Sequence, residues 1–376
     1  MIRVLAMTPY PPSRVAGQRF RIEQWAPLLY AEGIDVVFSP FMSPAAMDVL
    51  YRVGHKGQKI GAMLRGYVKR LGEVLHRRPA DVVFVYREAA FLGPPLLEWL
   101  VARRTALVLD FDDAIYLADT SRANAWSRVL KWKGKTEIIC HLARHVTVGN
   151  EFLAQFARGH APAVTVVPTT IDTDLYAMRP RPRNPRSVVG WSGSATTLPY
   201  LTALGPALQR LRERHDFELR VIGGELQFDG VPTYCKPWRL DTEVEDLRAL
   251  DVGLMPLSDD EWSRGKCGLK ALQYMALGIP PVVSPVGVNA TIVRDAVNGF
   301  HARTEEEWID RISLLLEDES LRRSLGREAR KTVEESYSAR AHAPRVARVL
   351  AEAAAGRSKG RTGEVRGGST SQRCTG

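Results

Sequence analysis

The chain has 376 residues, 45% of them hydrophobic and 25% charged, an ordinary globular balance that excludes a mainly disordered or fibrous protein and is long enough for two cores. Lys and Arg number 52 against 42 Asp and Glu, a formal net charge of +10. A surplus of this size permits phosphate, anionic-lipid or nucleic-acid partners and requires none of them.

In chain order, IRVLAMT (2–8) is a short apolar run that predicts a buried strand. A loop, PYPPSRVAG, follows, then RFRIEQWAPLLYAEG, whose Ile22, Trp25, Leu28 and Leu29 share a helical face that stops at Gly33. IDVVFSP is the next strand, and residues 58–78 predict a helix. ADVVFVY (80–86), TALVLDF (105–111), HVTVG (145–149) and VTVVPT (164–169) complete a first set of strands, most of them separated by helical segments. Near-continuous apolar strands alternating with helices predict a parallel sheet covered on both faces. RPRPRNPR (179–186), four Arg, three Pro and one Asn, suits neither helix nor central strand and reads as a linker. The alternation restarts with SVVGWSG (187–193), ELRVIGG (218–224), VGLMPL (252–257) and PPVVSP (280–285), interleaved with helices at 198–214, 243–250, 269–277 and 305–317. Residues 320–355 are mostly helical. The segment 357–376, with five basic residues and one acid among Gly and Ser, predicts a disordered basic tail.

The fold class expected is α/β: an N-terminal Rossmann-like domain over 1–178, a linker at 179–186, and a second domain over 187–337. Two open sheets leave a central cleft, and ligands of such sheets bind beyond the carboxyl ends of the strands. Four scattered cysteines without a CxxC pair imply no disulfide framework and fit a reducing compartment. The first residues lack a signal-peptide pattern, and no apolar run reaches about 18 residues, so a cytoplasmic protein is expected, at most resting on a membrane.

Several motifs fail. Gly190-Trp191-Ser192-Gly193 begins like a nucleophile elbow, but Ser194 stands where the last Gly belongs. His141 and His145 share an i, i+4 spacing without the Glu of a zinc-protease helix. No GxGxxG follows the first strand, and no GxxxxGK[ST] occurs. Asp110-Phe111-Asp112-Asp113 carries more: three carboxylates at a strand end suit hydroxyl contacts to a sugar or acceptor, helix capping, or a divalent cation.

The densest chemistry lies in residues 262–287, which read as loop, helix, turn, strand and loop. Arg264, Lys266 and Gly268 stand just before the helix, where free N–H groups, a positive partial charge and two full charges suit a diphosphate. Leu269, Leu272, Met275 and Ala276 form its apolar face, while Lys270 and Gln273 reach toward the cleft. The loops at Gly193–Ser194 and Gly223–Gly224 add small-residue backbone that can cradle phosphate, with simple turn chemistry as the alternative for each.

VVPTTIDTDLY (166–176), GWSGSATTLPYL (190–201), LRVIGG (219–224), DVGLMPL (251–257), GKCGLKALQYMALGIPPVVSPVGVN (265–289) and the VNGF turn (297–300) together resemble the GT-B glycosyltransferases of retaining family 4, the glycogen synthase-like and mannosyltransferase-like group, over most of residues 1–350. The resemblance implies two Rossmann-like domains with parallel sheets facing a central cleft. It also implies a nucleotide-sugar donor held mainly by the C-terminal domain, transfer with retention and without metal or other cofactor, and a last helix, here 338–356, crossing back to the N-terminal domain. Two glutamates eight positions apart are usual in that family; Gly265 and Gln273 stand there in this chain. The Arg and Lys usual after the first strand of the second domain are missing from SGSATTLPYL, and Asp112 replaces a usual His.

On this reading Gly193, Ser194, Gly223, Arg264, Lys266, Gly268 and Leu269 hold the donor. Gln273 holds ribose and Gly17 admits the first loop. Asp112, Asp113, Arg87 and Glu88 line the sugar and acceptor side as the catalytic group. The expected partners are a nucleotide-sugar donor and a sugar or lipid-linked acceptor, with no nucleic acid. A non-catalytic nucleotide-sugar-binding subunit and a GT-B sugar-nucleotide epimerase remain as alternatives. Residues 52–78 carry eight Lys or Arg and one acid, and Ile60, Leu64, Tyr67, Val68, Leu71 and Leu75 form one stripe. Arg122, Arg128, Lys131, Lys133 and Lys135 accompany Trp126 and Trp132. These segments fit either an anionic membrane face or a packed helix with a solvated basic side.

Overall fold

The computed structural model describes residues 1–50, 54–76, 80–117, 132–180 and 185–363. The expected α/β architecture is present as two parallel six-stranded sheets. The first contains β1 (Ile2–Thr8), β2 (Ile34–Pro40), β3 (Val82–Tyr86), β4 (Ala106–Phe111), β5 (His145–Val148) and β6 (Val164–Val166) in the order β2-β1-β3-β4-β5-β6. The second contains β7 (Ser187–Ser192), β8 (Phe217–Ile222), β9 (Thr233–Lys236), β10 (Val252–Met255), β11 (Pro281–Val283) and β12 (Phe300–His301) in the order β12-β11-β10-β7-β8-β9. The strands β9 and β12, absent from the sequence-based expectation, are short edge strands with too few residues to show a period. Strand order reverses between β1 and β3 in one sheet and between β7 and β10 in the other. The loops leaving each pair part company there and open a crevice.

The helices that position the site follow from local sequence. Residues Ala16–Gln18 start a helix that passes through one π turn (Arg19–Glu23) into α1 (Gln24–Ala31). The wider turn, a feature often found at functional sites, places Arg19 and Arg21 where they serve different neighbours. Arg21 is fully buried and donates to Asp110 from Nε at 3.0 Å, and it stacks on Trp25. Next come α2 (Lys56–His76), α3 (Leu96–Arg104), α4 (Lys135–Leu142) and α5 (Glu151–Arg158); Asn150 caps α5 by accepting from Leu153 N. In the second unit, α6 (Gly205–Arg214), α7 (Glu243–Arg248) and α8 (Leu269–Ala276) flank the sheet. Thr304 and Glu307 form a capping box at the start of α9 (Glu305–Glu317), and α10 (Glu319–Ser336) follows.

The last helix, α11 (Ala339–Gly363), packs against α1, β3 and β4 of the first unit. Its Val346, Val349 and Leu350 share a core with Val4, Trp25, Phe84 and Val108. The helix runs past the residue 356 expected as its end, so residues 357–363, expected to be disordered, are helical. The rest of the basic tail lies outside the described residues, as do Trp126 and its neighbouring cations.

Candidate active site

The first wall is built at the carboxyl ends of β3 and β4. Arg87, in the left-handed region at φ 62°, turns its guanidinium onto Asp112, with Nε at 3.0 Å and Nη2 at 2.8 Å, and onto Asp113. Tyr86 donates to the same Asp112 oxygen at 2.7 Å. Burial opposes the charge on Asp112, yet Arg87 and the Tyr86 hydroxyl hold its carboxyl below the usual carboxylate range. Burial pushes Asp113 up, and the neighbouring Asp112 charge adds to this against the pull of Arg87 and Lys266. The two carboxyls are therefore unequal, Asp112 held toward its charged form and Asp113 toward its neutral form. Gly17 packs over this group; a Cβ there would stand 2.6 Å from an Asp112 oxygen and 3.1 Å from Arg87 Nη2. Glu88 is placed apart from them, on Lys135 at 2.9 Å.

The second wall gathers loops after β7 and β8 around the tip of α8. Gly268 takes φ 71°, a conformation open to glycine, and turns the chain into α8. Gly223, at φ 88°, lies directly against the carbonyl of Gly193. Ser194 N donates to Thr197 Oγ1 at 3.1 Å, and Lys270 Nζ reaches the same hydroxyl at 3.3 Å while lying over the Trp191 ring. Lys266 lies over Trp262. Burial, with Lys266 adding like charge, lowers the Lys270 ammonium to about 7 against the attraction of Asp113. Two cations thus converge at a helix N-terminus, and one of them is held in a state that a bound anion would relieve.

Three placements differ from the sequence reading. Arg264 is exposed, and its Nε is engaged by Asp259 at 2.7 Å. The second cation at the helix tip is Lys270, which the sequence placed near the cleft and left without a role. Leu269 packs against the core of the second unit. Gln273 is buried and donates to Tyr176 Oη at 2.9 Å and Glu243 Oε1 at 3.2 Å, so its amide N–H groups are occupied within the protein. The carboxylate of this region is Glu243, from α7. It also accepts from Arg19 at 2.6 Å, from Tyr176 and from the Trp238 indole at 2.9 Å. Burial opposes ionisation of Glu243, but Arg19, Trp238 and Tyr176 keep it below the usual range. Among the described residues Arg19 Nη1 is buried with no hydrogen-bond partner, beside Trp238. No spacing in the sequence joins residues 19, 176, 243 and 273.

The walls meet at residues 265–267. Asn150 Nδ2 donates to the carbonyls of Gly265 at 3.0 Å and Lys266 at 3.1 Å, and Cys267 Sγ donates to Asp112 O at 3.1 Å. Burial pushes the Cys267 thiol well up, so it is a packed hydrogen-bond donor and not a nucleophile. A Cβ at Gly265 would fall 2.8 Å from Ala114 Cβ and 3.1 Å from its amide nitrogen. A side chain at this position requires Ala114 to move. Gly265→Glu is therefore expected to destabilise the fold by about 1–3 kcal/mol through overpacking, read as a lower urea midpoint, and not to raise any transfer activity. A variant as stable as the parent would show that the 114–265 contact yields freely.

Residues 245–332 match the family described as "Glycosyl transferases group 1". The D-inositol 3-phosphate glycosyltransferase of Stackebrandtia nassauensis is 26% identical over 262 residues, which cover 58% of this chain and 57% of that protein; the match thus spans less than two thirds of its length. Sucrose-phosphate synthase from Thermosynechococcus elongatus has a similar structure, with a TM-score of 0.65 at 13% identity over 93% of this chain and 98% of that one. Anabaena HepE in complex with UDP-glucose gives a TM-score of 0.61 at 15% identity over 94% and 100%. The fold is that of the GT-B glycosyltransferases, and the segment that matches the group 1 family holds Lys266, Gly268 and Lys270 at the tip of α8.

Proposed function

We propose that the protein transfers a sugar from a nucleoside-diphosphate-sugar donor to a hydroxyl acceptor, with retention. The observation that carries this reading is the convergence of Lys266 and Lys270 at the N-terminus of α8, opposite the Gly193 and Gly223 loops. In the reaction the C1–O bond to the diphosphate breaks, negative charge grows on the leaving phosphate and positive charge on the sugar ring. Lys266, Lys270 and the N–H groups of the helix tip stabilise the departing phosphate. Asp112, Asp113 and Arg87 line the sugar and acceptor side; Asp112 supplies fixed negative charge and Asp113 accommodates a proton. The Glu243 network with Gln273 borders the nucleoside end, where Arg19 Nη1 offers a donor. Glu88 and Arg264 fall outside this assignment because each is occupied by a partner of its own.

The Stackebrandtia relative is a glycosyltransferase and the HepE complexes contain UDP and UDP-glucose, which makes a UDP-sugar the first donor to try. Thermal-shift titration with UDP-, GDP-, dTDP- and ADP-sugars is expected to raise Tm with one of them, since a ligand at about 100 times its Kd adds roughly 2.7 kcal/mol. Lys266→Ala is expected to abolish that shift and stay folded. No response to any of the four at millimolar concentration overturns the reading. The absence of both family glutamates favours a second reading, a binding subunit that takes the donor without reaction. Release of nucleoside diphosphate and formation of a glycosidic bond separate a transferase from it, and a product without a glycosidic bond would instead mark an epimerase.

A further inference from the structure

We propose that α2 is a membrane-docking helix that seats the first unit on an anionic bilayer. Its outward side chains Ile60, Leu64, Val68, Leu71 and Leu75 are 49%, 61%, 73%, 43% and 45% exposed. At 3.6 residues per turn they fall within an arc of about 80°. A methyl group added at Gly57, Gly61 or Gly72 would meet nothing within 4 Å, so that side of the helix is open along its length. The inward side is fixed. Arg70 is fully buried and donates to Thr8 O at 2.8 Å, Ala89 O at 3.0 Å and Ser39 Oγ at 2.7 Å, and Tyr67 packs edge-on against Phe41. These bonds tie α2 to the carboxyl ends of β1 and β2 and the loop after β3, so the apolar stripe cannot roll inward onto the core of the first unit.

Charge selects the occupant. Among residues 56–75 the exposed charged side chains are Lys56, Arg65 and Lys69, while the acid of the segment, Glu73, is buried. The neighbouring α3 repeats the pattern: Leu96, Trp99, Arg103 and Arg104 are exposed and Glu98 is buried. Arg104 donates to Val74 O at 2.7 Å, which joins the two helices at the Leu75 end of the stripe. A second copy on this face would set cation against cation with no exposed acid of either helix to answer. A nucleic acid would satisfy the cations but bury five aliphatic side chains against phosphates. An anionic bilayer takes both: the aliphatic ridge enters the acyl boundary and the flanking cations meet the headgroups. No helix among the described residues is long and apolar enough to cross a membrane, so the contact is peripheral. The loops held by Arg70 adjoin the wall that carries Asp112, which brings a lipid-anchored acceptor to the cleft without leaving the bilayer.

The inference does not depend on the donor site, because no residue of the α8 tip takes part. The test is flotation of the whole chain with phosphatidylcholine vesicles and with vesicles in which about a third of the lipid is phosphatidylglycerol. Flotation is expected with the anionic vesicles, weakened by salt, and not with the neutral ones. Leu64→Ser with Val68→Ser is expected to lower partitioning by about tenfold or more, leaving the circular dichroism spectrum, Tm and response to sugar nucleotides unchanged. Lys56→Glu with Arg65→Glu is expected to remove the preference for anionic lipid. Equal flotation with both vesicles, or double variants that float like the parent, overturns the proposal. So does a dimer in ultracentrifugation that the serine variant abolishes, or salt-sensitive retention on nucleic acid in place of vesicle binding.

Discussion

Lys270→Ala is expected to lower kcat about 10²–10³-fold with the fold intact, the loss usual when one preorganised donor to a developing anion is removed. The ammonium sits beside Lys266 with a threonine hydroxyl as its hydrogen-bond partner. Pairing with a diphosphate should therefore raise its proton affinity above the free value of about 7. The sign of the pH dependence follows. Below that value Lys270 is already protonated and affinity is flat; above it, binding must take up a proton, so affinity falls by up to about tenfold per pH unit until the raised value of the complex is reached. Calorimetric titration with UDP in buffers of different ionisation enthalpy should report proton uptake above neutral pH in the parent and none in Lys270→Ala. An affinity that stays level from neutral to alkaline pH would remove Lys270 from the phosphate site.

Arg21→Met should be the most destabilising single change proposed for the first unit, by about 3–5 kcal/mol, because it leaves the Asp110 carboxylate buried with its charge unanswered. Arg21 and Asp110 have fully buried side chains; besides Arg21, Asp110 is hydrogen-bonded by Thr147 Oγ1 at 2.6 Å. The double variant Arg21→Met with Asp110→Asn should recover much of the loss, since no charge then remains to be solvated. Urea midpoints of the two variants and the parent decide it. Equal losses in single and double variants would mean that packing of the guanidinium on Trp25, and not the charge, holds this region.

The sheets and the helix tip were legible because apolar runs and the glycine before α8 act locally. Val82–Tyr86 and Ala106–Phe111 are buried along their whole length, and such strands read as near-continuous apolar stretches, broken here by Asp110. The stripe on α2 was legible as a stripe, but a 3.6-residue period is the same for a face turned to a core and one turned to solvent. The exposure of Leu64 and Val68, with Arg70 buried on the opposite side, settles which it is. The position of Lys270 on the helix is readable from the sequence, but its burial and its partner Thr197 depend on a loop from 73 residues earlier. For Arg264 the charge is visible in the sequence, while its exposed pairing with Asp259, weak in itself, belongs to the folded loop. The Arg19–Glu243–Gln273 group crosses 224 residues between its first two members, a distance over which no motif operates.

One face of the first sheet is completed by Val346, Val349 and Leu350, synthesised some 340 residues after the Val4 they cover. During translation that face stays only partly covered, by Trp25 and its neighbours, while the second unit emerges. The nascent first half must therefore wait as an incomplete layer, which predisposes it to chaperone capture until α11 emerges and docks.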